Sequence, residues 1–200
     1  MTTSWDDAVL DPDTPAGADG VTLGLAVAVP EPWAGELVER RAATGDPVAR
    51  SVPPHVTLVP PLVVAPGQVE AVAAHVRERA AGCEPFVLHL AGAGTFRPVS
   101  QVSFVRVAAG ATECDALQSR LRCGPLAREL RFPYHPHVTV GHDVPDAALD
   151  RAERDLAGFE ARFTVEHVSL FRCDADGVWR VVSLAPLAAD GGAGAACRGA

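Results

Sequence analysis

One short word occurs twice in this chain. Pro54-His55-Val56-Thr57 and Pro136-His137-Val138-Thr139 spell the same tetrapeptide about eighty positions apart, a repetition with odds on the order of a few in a thousand by chance. In an extended strand, residues i and i+2 share a face. His55 and Thr57 therefore project to one side, with Val56 and Leu58 on the other. His137 and Thr139 stand in the same relation to Val138 and Val140. Each motif offers an imidazole and a hydroxyl on one face and an apolar anchor on the other. Two such motifs meeting across one cleft suit a phosphodiester. An unperturbed imidazole titrates near ~6.5, so one ring can take a proton from water while the other gives one to the leaving oxygen. The threonine hydroxyls can donate to the non-bridging oxygens, where negative charge develops.

The elements that must position these residues fall into two similar passages. The first opens on VTLGLAVAVP (21–30), an apolar run that reads as a buried strand. A helix follows from about Pro32 to Ala43, then the strand SVPPHVTLVPP (51–61), shortened by Val59-Pro60-Pro61. Val69, Val72, Ala73, Val76 and Ala80 form one stripe of a helix over 67–82, which leaves His75 off the stripe and solvated. Strands over 86–96 and 101–107 close this half. The second passage has a helix over 112–122, the strand PYHPHVTVGHDV (133–144) and a helix over 146–157 capped by Asp146, with Ala148, Leu149, Ala152 and Leu156 inward. Strands over 161–172 and 177–187 then make a hairpin around Asp174-Ala175-Asp176-Gly177. The expected class is α+β: an internally duplicated, bilobal fold with two mainly antiparallel sheets lining a central cleft and helices outside. One domain spans 21–187. Residues 1–20 and 188–200 lack periodicity and apolar bulk and are expected to be flexible.

Charge and composition narrow the function classes. The net charge is −8, and the seventeen basic residues, all arginine, are scattered. Tight binding of long nucleic acid needs a basic stripe, so a small anionic substrate or an RNA terminus is the expected partner. No apolar run approaches the ~20 residues of a membrane span, and the first residues show no basic segment followed by an apolar stretch, so secretion is not expected. Five cysteines without a CxxC pair suit a reduced, cytoplasmic setting, with the thiols acting as small hydrophobes. A monomer is expected.

PHVTL (54–58) and PHVTV (136–140) resemble the paired HxTx signatures of the 2H phosphoesterase superfamily, in particular its 2′-5′ RNA ligase-like and cyclic phosphodiesterase branches. The likeness extends over the opening strand LGLAVAVP, LHLAGAGTFRP (88–98) and FPYHPHVTV (132–140), and covers roughly 21–187. The resemblance implies opening of a 2′,3′-cyclic phosphate, or a related cyclic ester, without metal or other cofactor and usually leaving a 2′-phosphate. It also implies His55 as proton donor and His137 as proton acceptor, with Thr57 and Thr139 binding substrate. The chain departs from many relatives after the second motif, where Gly141-His142-Asp143 stands in place of an arginine.

The same residues admit other readings. His135, His137, His142 and Asp143 could hold a metal, but the repeat accounts for His137 better. His89 and His167 fall in corresponding closing strands and read as structural. Phe96 and Tyr134 could stack a base, and Arg97, Arg106 or Arg172 could meet phosphate, though structural roles explain each equally well. The alternative function is a non-catalytic module that binds a nucleotide or RNA end on the same fold.

Overall fold

The run VTLGLAVA owes its continuous apolarity to burial on both faces. Leu23, Leu25 and Val27 enter the main core, while Ala26 joins a smaller cluster with Val52, Phe171 and Trp179 on the opposite side. This strand, β1 (Val21–Ala28), lies inside a four-stranded antiparallel sheet. Its neighbours are β2 (His55–Val64) and β7 (His167–Cys173), with β8 (Trp179–Pro186) beyond β7. A second antiparallel sheet runs β5 (His137–His142), β4 (Val102–Ala109), β3 (Phe86–Thr95) and β6 (Glu160–Val165). Four helices complete the fold: α1 (Trp33–Ala43), α2 (Val69–Ala80), α3 (Ala111–Leu121) and α4 (Asp146–Asp155). The computed structural model describes residues 20–130 and 132–188, so the expected tails lie almost wholly outside the described residues.

The duplication is real, and its boundary falls earlier than the periodicity suggests. β4 opens the second unit instead of closing the first. It is flanked by β5 and β3 as β1 is flanked by β2 and β7. The units thus read β1-α1-β2-α2-β3 and β4-α3-β5-α4-β6-β7, with β3 of the first and β7 of the second contributed to the other unit's sheet. Helices cross as well. α1 packs on β5 and α3 packs on β2. Trp33 of α1 stacks 6.0 Å from Phe163 of β6, and Arg40 of α1 donates to the Asp155 carbonyl at the end of α4 at 2.9 Å. This exchange of strands and helices knits the lobes into one core.

Two strand assignments change. The apolar stretch 161–172 is two strands, not one: β6 pairs with β3, the chain leaves that sheet at Glu166, and β7 pairs with β1 and β8. Hydrophobic pattern records burial and is blind to a change of partner. Conversely, Pro60 and Pro61 do not shorten β2, which continues to Val64. The ladder to β1 shifts register between Leu23 and Leu25, and β2 is an edge strand, where missing N–H donors are tolerated.

The α2 stripe is inward as expected, with Val72, Ala73, Val76 and Ala80 buried. His75 is half-buried, however, and its Nε2–H donates to the Leu121 carbonyl of α3 at 3.2 Å, tying the helices together. Asp146 makes no cap hydrogen bond. Its carboxylate pairs with Arg97 at 3.3 Å, alongside Asp150 at 2.7 Å and Glu153 at 2.8 Å. No helix among the described residues is long and apolar enough to cross a membrane.

Candidate active site

Each histidine begins an edge strand, one per sheet. His55 opens β2 and stands opposite Ala28, with Thr57 opposite Ala26. His137 opens β5 and stands opposite Arg106, with Thr139 opposite Phe104. The intervening Val56, Leu58, Val138 and Val140 all enter the main core. β2 and β5 adjoin where the sheets meet. Alternation therefore carries His55, Thr57, His137 and Thr139 to the faces that point away from that shared core.

The local geometry of the two histidines is the same. His55 Nδ1–H donates to the Pro53 carbonyl at 2.7 Å, and His137 Nδ1–H donates to the His135 carbonyl at 2.7 Å. A carbonyl only accepts, so Nδ1 must carry the hydrogen in each ring and Nε2 is the nitrogen that can do chemistry. The approach to β2 is itself held: Val29 N–H donates to the Pro54 carbonyl at 3.0 Å, and Trp179 N–H to the Ser51 carbonyl at 2.8 Å. The Thr57 hydroxyl is shielded from solvent and meets no hydrogen-bond partner among the described residues. A buried hydroxyl in that state costs free energy unless a ligand or water satisfies it.

The rings differ in their surroundings. His55 is 6% exposed and lies 6.3 Å from the Phe171 ring. His137 sits among aromatic rings: Phe96 meets it edge-on at 4.8 Å, Phe104 lies at 5.1 Å and His135 at 5.9 Å. Burial, and then the neighbouring His137 charge, hold His135 below the usual imidazole range, with a smaller push from Arg106. Gly94 of β3 makes this packing possible. A Cβ there would stand 2.6 Å from Phe104 Cε2 and 3.0 Å from Arg106 Nε.

Tyr134 is a strap, not a stacking platform. Its hydroxyl donates to the Thr57 carbonyl at 2.9 Å and its ring packs on the main core. The approach to the second motif is thereby bonded to the backbone of the first. Burial raises the phenol's pKa, so it stays a donor across the neutral range. Of the arginines considered, Arg97 is held by the carboxylates of α4, and Arg172 donates to Asp174 at 2.7 Å in the β7–β8 turn. Arg106 is exposed on β4 beside the second motif. Phe96 does reach the site, but against the histidines. His89 is engaged elsewhere, with its Nε2 2.9 Å from the Glu160 carboxylate of β6. Among the described residues no three of His, Cys, Asp and Glu gather as a metal would require. A concavity of about 700 Å³ lies elsewhere, between α3 and the turn before β3, with Cys83, Glu113 and Arg120 on its wall and neither repeated motif.

Phe104, Gly94 and the Tyr134 strap are site features that the sequence pattern does not reveal. The two-residue period of SFVRV sets Phe104 and Arg106 on one face, but only the ladder register shows which face that is.

This pair of four-stranded antiparallel sheets with four helices is a known fold. It is similar to Escherichia coli LigT solved with 3′-AMP, at 24% identity and a TM-score of 0.60, over 84% of this chain and 99% of that one. LigT solved with phosphate gives 23% identity and a TM-score of 0.59, covering 85% and 99%. A Thermus thermophilus protein gives 22% identity and 0.54, covering 84% and 99%. Identities this low establish the fold alone. Curated relatives include a protein of Bacillus mycoides (strain KBAB4), provisionally named a phosphoesterase, which is 32% identical over 102 residues, or 51% of this chain. A Bacillus cereus (strain B4264) protein with the same provisional name is 31% identical over the same length. The chain spans 59% of the length of these relatives. The family model for the 2′-5′ RNA ligase superfamily matches residues 29–177, and the chain belongs to that family of 2H phosphoesterases.

Proposed function

We propose that this protein is a metal-independent phosphoesterase that hydrolyses a cyclic phosphodiester, the 2′,3′-cyclic phosphate of an RNA end or a small nucleotide, by two-histidine acid–base catalysis. The observation that carries the reading is the matched pair of Nδ1–H bonds at 2.7 Å, which fixes the same tautomer in His55 and His137 and reserves Nε2 of each ring for proton transfer. Water attacks phosphorus and loses a proton to His137 Nε2. The P–O3′ bond breaks, and the departing oxygen takes a proton from His55 Nε2, leaving a 2′-phosphate and a 3′-hydroxyl. Thr57 and Thr139 donate to the non-bridging oxygens, and the solvent-shielded Thr57 hydroxyl suits that role. Family membership and the phosphoesterase names of the relatives support the reaction class. The donor and acceptor assignment follows the family's usual order.

The test is turnover of a panel of 2′,3′-cyclic nucleotides and a cyclic-phosphate RNA end by the wild type, His55→Ala and His137→Ala. Either substitution should cost on the order of 10²–10⁴ in rate, the usual worth of a positioned acid or base. On an activated aryl phosphodiester, whose leaving group needs no proton, His55→Ala should recover while His137→Ala stays inactive. Recovery of His137→Ala alone would reverse the roles. Full activity of both variants on the cyclic substrate would sink the mechanism and favour a module that binds without turnover.

A further inference from the structure

The two units match at their motifs and differ beside them. In the first, the residues opposite His55 and Thr57 are Ala28 and Ala26. In the second, the residues opposite His137 and Thr139 are Arg106 and Phe104. The seam between β2 and β5 is thus flanked by two methyl groups on one side and by a guanidinium and a phenyl ring on the other. Arg106 is exposed, and among the described residues it makes no hydrogen bond or ion pair, unlike Arg97, Arg172 and Arg180. In a chain of net charge −8, a cation kept clear of carboxylates beside two imidazoles invites an anion.

Its direction shows which anion. Arg106 Nε lies 3.0 Å from the point where a Cβ on Gly94 would stand, so the side chain leans across β4 toward β3. β3 is two ladder spacings, roughly 10 Å, from β5. In the proposed reaction the phosphate under attack sits at the seam by His55 and His137, whereas the Arg106 side chain lies over Gly94 beside the Phe104 ring, which pairs with Phe96 at 4.4 Å. Phe96, half-buried and edge-on to His137 at 4.8 Å, offers an aromatic surface to the sugar or base that joins two phosphates. We propose that Arg106 binds a second phosphate of the substrate, beyond the one under attack, so that the preferred substrate is a cyclic-phosphate end carrying a further phosphate and not a lone cyclic nucleoside phosphate. This inference rests on the cyclic phosphodiesterase reading and narrows it.

The experiment compares three substrates: adenosine 2′,3′-cyclic phosphate, its 5′-phosphorylated form, and a dinucleotide ending in a 2′,3′-cyclic phosphate. Wild type should favour the two that carry a second phosphate by roughly 10- to 100-fold in kcat/KM, the worth of a charge-assisted hydrogen bond. Arg106→Gln should erase that preference while changing turnover of the lone cyclic phosphate less than about threefold. The salt dependence for the dinucleotide should also weaken by about 0.7 in log–log slope, one phosphate contact fewer. Preference for the dinucleotide alone would assign the second phosphate to an RNA linkage, and equal preference for the 5′-phosphorylated nucleotide would assign it to a small bisphosphate; either supports the inference. Equal wild-type rates on all three, or an Arg106→Gln loss of the same size on all three, would overturn it and leave the hydrolase reading intact. Calorimetric binding of adenosine 2′-monophosphate and adenosine 2′,5′-bisphosphate needs no turnover and tests Arg106 separately. Should the wild type hydrolyse none of the substrates, an Arg106-dependent preference for the bisphosphate would still support the anion site, and its absence would overturn it.

Discussion

Removing one hydroxyl should reveal how the two motifs are held together. Tyr134 donates to the Thr57 carbonyl at 2.9 Å from the segment that leads into β5, and its ring fills space against the main core. Tyr134→Phe keeps the ring and deletes only the donor. A net intramolecular hydrogen bond contributes about 0.5–1.5 kcal/mol. The Thr57 carbonyl loses this partner, and a loss at the middle of that range, about 1 kcal/mol, is expected. For a domain of this size such a loss lowers Tm by about 2–4 °C. The catalytic consequence should exceed the thermodynamic one. The bond ties the backbone at Thr57 to the approach of His137, and a displacement of about 1 Å can cost on the order of 10²-fold in rate. A loosened strap should therefore cost about 10-fold in kcat/KM on a cyclic phosphate, seen chiefly in kcat. Urea unfolding and steady-state kinetics on the same preparations decide the matter. Unchanged stability of the variant would show that the bond contributes nothing in solution. Lower stability with unchanged kcat would confine Tyr134 to folding and refute the idea that it sets the spacing of the motifs.

Gly94→Ala should be destabilising by about 1–3 kcal/mol and should lower activity, because the new methyl would stand 2.6 Å from the Phe104 ring, itself 4% exposed with nowhere to swing; a variant matching wild type in urea and in kcat/KM would show that the aromatic packing around His137 yields freely. Stability should fall as the solution becomes alkaline. Burial, then the Glu113 charge, push the Cys114 thiol up to about 12 from an ordinary value near 9, so the folded state keeps a proton that the unfolded chain releases. That contribution is complete below about pH 9 and fades as pH climbs toward 12, with Tyr134 acting in the same direction. Urea midpoints measured from about pH 7 to 11 should decline less steeply in Cys114→Ala, and parallel slopes would remove the thiol from the account. Activity on a cyclic phosphate should survive EDTA and show a bell-shaped pH dependence of kcat/KM whose limbs belong to the histidine pair jointly. Loss on chelation with recovery on adding zinc would point instead to the imidazoles around His135.

The sequence alone marked the candidate acid–base groups and determined the class of fold, because both are written in short-range pattern. A two-residue period places His55 with Thr57 and His137 with Thr139, and a helical period marks the inward faces of α2 and α4. Proline, histidine and threonine recurring in one order carry the same message at any distance along the chain. What surrounds the pair was decided by tertiary structure. Whether Phe104 and Arg106 face His137 depends on the register of β4 against β5. The role of Gly94 depends on which ring lies above it, and that of Tyr134 on a carbonyl more than seventy residues away. Likewise, the split of 161–172 into β6 and β7 follows from which strands they pair with. These features rest on long-range pairing, whose partners are chosen by the packing of the whole core, and local hydrophobic pattern reports only that a residue is buried and never against what.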